Sequence, residues 1–397
     1  MTAVAVIGGG LAGLAAADEL ARASVEPIVL EAGDRVGGRV WSQRLPDGSV
    51  IEMGAEFVTE GYEVLPELIG RLGLELAPMG MSFARREPRG GMGVDGPGLE
   101  RALRVVETAL ARGDGAGATV DELLARLHLD AGARELIACR IQVSYAHETS
   151  RLAADAVRDV GHLFREGEAR RVAGGNQQVA ERLAAPLRVL LSTPAREVRQ
   201  NAGGSLVVNG DLRVDGLIVA VPAHAVSGIR LEPPLPDWKR SAQHEVVYGQ
   251  AAKLAVPLAE RPQPSSVLSV PGHFWTWTAL GEDGDVAPLV AAFAGSGEAV
   301  DALAVDGGPA GYVERVAALR PDLALVPDAA VLATWPGGAY SAREAGRPGD
   351  LDDRLSRMVG RVAFAGEHTE PVWYATMEGA LRSGRRAANQ LLPALGT

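Results

Sequence analysis

The stretch Gly8-Gly9-Gly10-Leu11-Ala12-Gly13 constrains this chain more than any other. It fits G-x-G-x-x-G through Gly8, Gly10 and Gly13. The pattern alone is weak, because 49 glycines in 397 residues give about 0.7 such matches by chance. Its context is specific. Ala3–Ile7 is a run of small and β-branched residues that reads as a buried strand. Leu11–Ala23 reads as an Ala-rich helix, and Pro27–Leu30 as a second buried strand ending in Glu31. Strand, helix and strand in this order form a β-α-β unit with parallel strands. In such a unit the first glycine permits the tight turn and the second lets the backbone approach a pyrophosphate. The third lets the helix lie close to the sheet, and the helix N-terminus turns its partial positive charge toward the phosphates. An acid at Glu31 suits hydrogen bonds to a ribose.

The next residues, Ala32-Gly33-Asp34-Arg35-Val36-Gly37-Gly38-Arg39-Val40, bring a second glycine turn and a guanidinium suited to phosphate. Composition removes other classes. A hydrophobic fraction of 47% supports a real core. A net charge of −11 opposes nucleic acid or anionic membrane as partners. The pairs Arg85-Arg86 and Arg385-Arg386 read as solvated surface. Cys139 is the single cysteine, so neither an intrachain disulfide nor a Cys-rich metal site is available. Set beside Leu136, Ile137 and Ala138, it reads as a small core residue rather than a nucleophile. The seven histidines show no His-x-x-x-His spacing, and no metal is expected. No apolar run has the length of a membrane span, and the chain starts directly on a strand without a signal segment. The expected location is cytoplasmic.

Further along, Leu65–Leu74 has helical spacing. Residues Met79 to Leu99, rich in Gly, Arg and Pro, read as an exposed loop. Leu103–Leu110, Val120–Leu129, Leu136–Ser144 and Ala153–Phe164 read as a mostly helical block, with Thr119 and Glu122 as a capping box. Asn176 is placed to cap a helix from Gln177 to Leu183. Val189–Leu191, Leu206–Val208 and Leu217–Val221 read as short strands, and Pro233, Pro234 and Pro236 as a boundary. Gln250–Val256, Phe274–Leu280 and Pro288–Phe293 suggest a second sheet. Asp301–Leu319 reads as loop then helix, Ala330–Thr334 and Val362–Ala365 as strands, and Thr376–Leu391 as the last helix.

Leu30-Glu31-Ala32 followed by Arg35-Val36-Gly37-Gly38-Arg39 resembles the flavin-dependent amine oxidase family, which includes monoamine, polyamine and L-amino acid oxidases. Ile51-Glu52-Met53-Gly54-Ala55-Glu56-Phe57 resembles the family's turn beside the flavin. Arg171 to Asn176 resembles its middle cofactor segment. Val362 to Thr369, with Met377-Glu378-Gly379-Ala380 and Ser383 to Ala388, resembles its C-terminal signature. The segments follow the family's order through nearly the whole chain. The resemblance implies an α/β plus α+β fold. A Rossmann-type FAD-binding domain is expected from discontinuous segments 1–78, 168–245 and 331–397. A substrate-binding domain of mixed sheet and helices is expected from 79–167 and 246–330. Gly8, Gly10, Gly13, Glu31, Ala32, Gly38, Arg39, Gly54, Ala55, Glu56, Glu367 and Met377 are the implied FAD contacts.

The last helix carries Gly379, Ser383 and Ala387, and Ala380 and Gly384, at four-residue intervals, a small-residue face for close packing. Its N-terminus would face the flavin pyrimidine, and the resemblance implies the Met377 amide as donor. By the resemblance, Lys253 on the apolar strand Gly249–Val256 is the lysine that holds a water near flavin N5. The alternative is an edge-strand lysine reaching solvent. Trp335 to Tyr340 resembles the stretch in which monoamine oxidases attach flavin to a cysteine. Ala339 stands at that place, so non-covalent FAD is expected. Tyr340 matches one wall of the aromatic cage, whereas Thr376 replaces the other unless Trp373 or Tyr374 folds across. Trp275 and Trp277 alternate onto one strand face, either as substrate contacts or as core.

The expected activity is oxidation of the C–N bond of a small, mostly apolar amine by hydride transfer to flavin N5, with O2 as acceptor. The expected assembly is a monomer or homodimer. A flavin desaturase acting on a C–C bond is the alternative, and a non-catalytic FAD protein a third reading. Lys253 and Tyr340 favour the first, and Thr376 weakens it.

Overall fold

A computed structural model describes residues 2–82, 84–157, 160–165, 167–335 and 337–396. Phe83, in the expected loop, Arg158 and Asp159, in the expected helical stretch, and Pro336 lie outside these described residues. The first strand, Ala3–Ile7, is central in a five-stranded parallel sheet. Glu26–Leu30 and then Arg188–Leu190 flank it on one side, Gly216–Val219 and then Val362–Phe364 on the other. The sheet thus joins stretches from the start, middle and end of the chain. Its strands read as unbroken apolar runs because both faces are covered. One face carries the helices Leu11–Arg22 and Met377–Leu395, with Leu20, Ala16, Ala387 and Leu391 buried against Val4, Val6 and Ile218. On the other lies a four-stranded sheet of Leu212–Val214, Leu206–Val208, Glu197–Gln200 and Arg230–Glu232.

The two helices cross where Gly384 meets Ala12. A Cβ on Gly384 would lie 2.2 Å from the Ala12 carbonyl oxygen. That oxygen is backbone and cannot turn aside, so the small-residue face is a requirement of the crossing.

A second, six-stranded sheet has the order Val331–Thr334, Ala251–Pro257, Leu289–Gly295, Phe274–Thr278, Ser265–Ser269, Glu87–Arg89. The helix Ala310–Leu319 covers one face through Tyr312, Val313 and Val316. The helical block Gly96–Ala111, Val120–Arg126 and Ala131–Tyr145 lies beyond the other. Thr119 and Glu122 form the reciprocal capping box read from the sequence.

Four expectations are corrected. Val331–Thr334, expected with the cofactor-binding segment 331–397, pairs instead with Ala251–Pro257 in the second sheet. A four-residue apolar strand carries no mark of which sheet it joins. The stretch 79–99 is largely ordered. Leu76–Ser82 pairs antiparallel with Glu168–Val172, Glu87–Arg89 joins the second sheet, and a helix starts at Gly96. Arg86 is buried, not solvated. Asn176 makes no side-chain cap. Its Oδ1 accepts from the Val172 N–H, and its Nδ2 donates to the Ala55 and Glu56 carbonyls at 3.0 and 2.8 Å. The amide fixes the turn beside Glu56 instead of the helix behind it.

Candidate active site

The glycine turn is shaped to receive a large anion. Gly8 has φ +108°, which favours glycine. A Cβ on Gly13 would lie 1.9 Å from the Gly8 carbonyl oxygen, so the helix starts hard against the turn. At Gly10 a Cβ would meet nothing within 4 Å. The Gly37 N–H donates to the Gly9 carbonyl at 2.9 Å, which joins the second glycine turn to the first. Gly10 and Gly38 therefore line one backbone cradle without side chains, as a dinucleotide pyrophosphate requires. Glu31 stands at the end of its strand, followed by Ala32. Its carboxylate accepts from the Gly9 and Gly33 N–H groups at 2.6 and 2.7 Å. Met377 packs in one cluster with Leu11 and Val40, so the last helix begins at the same end of the domain. Its first-turn N–H groups have no partner within the helix.

Arg39 and Glu367 form one knot at this end. Arg39 Nη1 donates to Glu367 at 2.9 Å and to the Ala339 carbonyl at 3.0 Å. Glu367 also accepts from the Ser341 hydroxyl at 2.5 Å, the Ser341 N–H and the Ala375 N–H. Burial alone would raise this carboxyl, but Arg39 and these donors outweigh it and hold it below its usual range. The pair ties the stretch before Tyr340 to the one before Met377.

Lys253 is the link between the two sheets. Its strand is paired on both sides, so it is not an edge lysine reaching solvent. Its Nζ donates to the Gly54 carbonyl at 3.0 Å and to the Glu56 carboxylate at 2.6 Å, with both side chains buried. Gly54 itself is pressed against Arg39, where a Cβ would lie 2.0 Å from the carbonyl oxygen, and the Ala55 N–H donates to that same oxygen. Lys253 thus reaches from the second sheet onto the turn that borders the cradle. Glu56 additionally takes the Trp277 indole N–H at 3.4 Å.

Glu52, which nothing in its local sequence singles out, completes this buried acid cluster. Burial pushes its carboxyl up to about 7, with the Asn176 N–H opposing and Glu56 adding to the rise. The sign follows from linkage. Its folded pKa lies above the ordinary 4.5, so stability declines as pH rises from about 4.5 through 7. Glu52→Gln can still accept from Asn176 and donate to the Ser42 hydroxyl, the present partners. It is expected to be more stable than the parent at pH 8 by on the order of 2 kcal/mol, and no more stable at pH 5. Denaturant titrations at the two pH values check this.

The aromatic residues divide. Along the sheet, Lys253 pairs with Phe293 and Phe293 with Trp275, so these side chains share one face. Trp275 and Trp277 stack at 4.1 Å, and Phe57 packs on both. Tyr340 is half-buried, with its hydroxyl donating to the Ser144 carbonyl at 3.0 Å. Tyr374 donates to the Ala156 carbonyl at 3.2 Å under the Arg343 guanidinium, and Trp373 packs edge-on to Tyr62. Thr376 is an N-cap. Its hydroxyl accepts from the Gly379 N–H and donates to the Trp373 carbonyl. Thr376→Ala is expected to lower stability by about 1 kcal/mol while the flavin spectrum is kept. A thermal melt followed by absorbance reads both.

A parallel sheet opening on a glycine cradle, with a lysine delivered to its border from a second sheet, is the arrangement of a dinucleotide-dependent oxidoreductase. The chain belongs to the flavin containing amine oxidoreductase family, whose model matches residues 11–99 and 106–392, and FAD is its cofactor. It is 30% identical over 451 residues to the putative flavin-containing monoamine oxidase AofH of Mycobacterium tuberculosis, covering 98% of this chain and 96% of that one. It is 24% identical to an L-amino acid dehydrogenase of a Synechocystis strain, covering 98% and 94%. Among solved structures, putrescine oxidase bound to putrescine matches with a TM-score of 0.86 at 23% identity over 99% of both chains, a likeness of fold.

Proposed function

We propose that this chain oxidises the C–N bond of a small amine with a largely apolar body, with O2 as the final acceptor. The observation that carries the reading is Lys253, buried in a central strand and held on the Gly54 carbonyl and Glu56. A buried lysine is costly without a task or a partner, and this one stands where two domains meet beside the cofactor cradle. FAD held in the cradle would supply the two-electron acceptor. The protein's own residues supply position and a dry surround. Trp277, Trp275 and Phe57 offer apolar faces next to Lys253, and exclusion of water favours the neutral, reactive form of an amine. Ala339, in the place of the family's flavin-attaching cysteine, supports non-covalent cofactor binding.

Anaerobic mixing of the purified holoprotein with primary, secondary and tertiary amines tests the reading. Bleaching of the flavin band by one class is the expected result. A band that no amine bleaches would overturn it.

A further inference from the structure

A small polar cavity lies behind Lys253. It measures about 30 Å³, and Glu52, Glu56, Arg171, Lys253 and Trp277 are among its walls. Gly10 and Gly38, which shape the cradle, are not. Two alanines make the room. Across the second sheet Ala255 pairs with Ala291, and Ala291 with Trp277. This row stands two residues along from Lys253, Phe293 and Trp275, so both rows share one face. A methyl at two of its three places leaves space beside the lysine that larger side chains would fill. The space suffices for a water, and the acids and Arg171 offer it polar partners. Beyond Arg171 the molecule opens. Arg171 and Val50 also line a cleft of about 600 Å³, whose other walls include Arg44, Gln178 and Glu282. Arg44 and Glu282 are exposed ion-pair partners, so the cleft meets solvent. Arg171 stands between the two spaces. Its Nη2 donates to the Leu280 carbonyl at 2.7 Å, and its Nη1 lies 3.9 Å from the Glu56 carboxylate. The order outward from Lys253 is therefore the 2.6 Å bond to Glu56, the cavity, Arg171 and the cleft.

Oxidising an alkylammonium ion to an iminium ion gives up a hydride and one proton. The hydride goes to the two-electron acceptor, and the proton must leave a site that excludes water. Reducing O2 to hydrogen peroxide with that hydride takes one proton back. Resting on the amine-oxidation reading above, we propose that Glu56 and a water in this cavity carry the proton between Lys253 and the outer cleft, past Arg171. Lys253 accepts the substrate's proton as one of its own passes along the 2.6 Å bond to Glu56. The carboxylic acid so formed gives its proton to the water, which hands it on to the cleft. Only N–H and O–H bonds change in the relay, and the proton taken up by O2 returns the same way. Glu52, whose carboxyl burial pushes up to about 7, borders the same cavity and can hold the proton in transit.

The test follows protons in the FAD-loaded protein. At pH 5 the resting protein is moved into D2O, and the infrared carbonyl stretch of protonated Glu52 is followed as deuterium replaces its proton. Loss of the band in Glu52→Gln identifies it. In the parent the shift is expected as fast as the solutions mix. Ala291→Leu fills the cavity with carbon, leaves every polar group in place, and is expected to slow the shift at least about tenfold. Ala287→Val, on another wall of the cavity, serves where the first variant fails to fold. A second readout also needs no amine. The flavin is reduced by light, freed of reagents and mixed with O2 beside a pH-indicator dye. Proton uptake is expected to keep pace with the returning flavin colour in the parent and to fall at least about tenfold in Glu56→Gln. The solvent deuterium effect on reoxidation is expected to grow in that variant, where a merely structural loss would act alike in H2O and D2O. If the band exchanges no faster in the parent than in the filled variants, or Glu56→Gln leaves proton uptake unchanged, the route falls, whatever amines do to the flavin. If both readouts follow expectation and no amine bleaches the flavin, the route stands and the amine reading falls.

Discussion

Lys253→Met is expected to keep FAD bound and to slow flavin reduction or reoxidation by about two orders of magnitude or more, the range lost when a positioned proton-transfer or water-holding group is removed. Stopped-flow absorbance at the flavin band measures both half-reactions. The substitution also has a structural cost. Lys253 is the 2.6 Å partner of Glu56, and both are buried. Removing one member of a buried pair costs about 3–5 kcal/mol, and here Arg171, 3.9 Å from Glu56, is the one cation left to it among the described residues. A slow, unstable variant would therefore be ambiguous by itself. Lys253→Met combined with Glu56→Gln separates the two effects. The double variant removes both charges and is expected to recover most of the lost stability, while the rate stays low. Should the double variant recover rate together with stability, or should Lys253→Met lose its flavin, Lys253 is a structural tie between the sheets and not part of the chemistry.

The main parts of this fold are written locally, and those were legible. Ala3–Ile7, the glycine turn and the Ala-rich helix after it each depend on near neighbours in sequence, as does the Thr119 capping box. The strand Leu76–Ser82 depends on a partner far away, Glu168–Val172. Its Gly80 opens the Gly-, Arg- and Pro-rich stretch read as a loop, and the signal against that was the alternation of Met79 and Met81, both turned inward. Lys253 could be found because it matches the family's lysine and stands in an apolar strand. Glu52 and Arg86 could not, because the burial of each is decided by elements that arrive from elsewhere. The same holds for Asn176, placed correctly before its helix but drawn by the Ala55 and Glu56 carbonyls into bracing the site.

Glu378→Gln is expected to be among the most destabilising substitutions in the chain, by about 3 kcal/mol or more at pH 7. Glu378 lies in the first turn of the last helix and is 0% exposed. Its carboxylate accepts from the Glu63, Val64 and Leu65 N–H groups at 3.2, 3.0 and 2.9 Å, the start of the helix Val64–Arg71. That helix has no side-chain cap from its own N-cap residue, so a carboxylate from over 300 positions away does the capping. Arg382 adds a fourth donor at 2.7 Å. Glutamine keeps one accepting oxygen and turns an NH2 toward the remaining donors, which leaves buried N–H groups unmet and removes the charge that both helix ends favour. Burial by itself would raise this carboxyl, but the backbone donors and Arg382 outweigh it and hold it below the ordinary 4.5. The contribution is therefore complete above about pH 4.5 and is lost as pH falls through the lower, folded value. Parent and variant should differ most at neutral pH and converge in acid, as read by denaturant titration at pH 7 and pH 3. Because the capped helix packs through Leu65, Leu68 and Ile69 against Leu11 and Leu14, the variant should also release FAD more readily at pH 7, which dilution followed by flavin fluorescence would reveal. A gap that persists unchanged at pH 3 would mean that the loss comes from packing rather than from the charge.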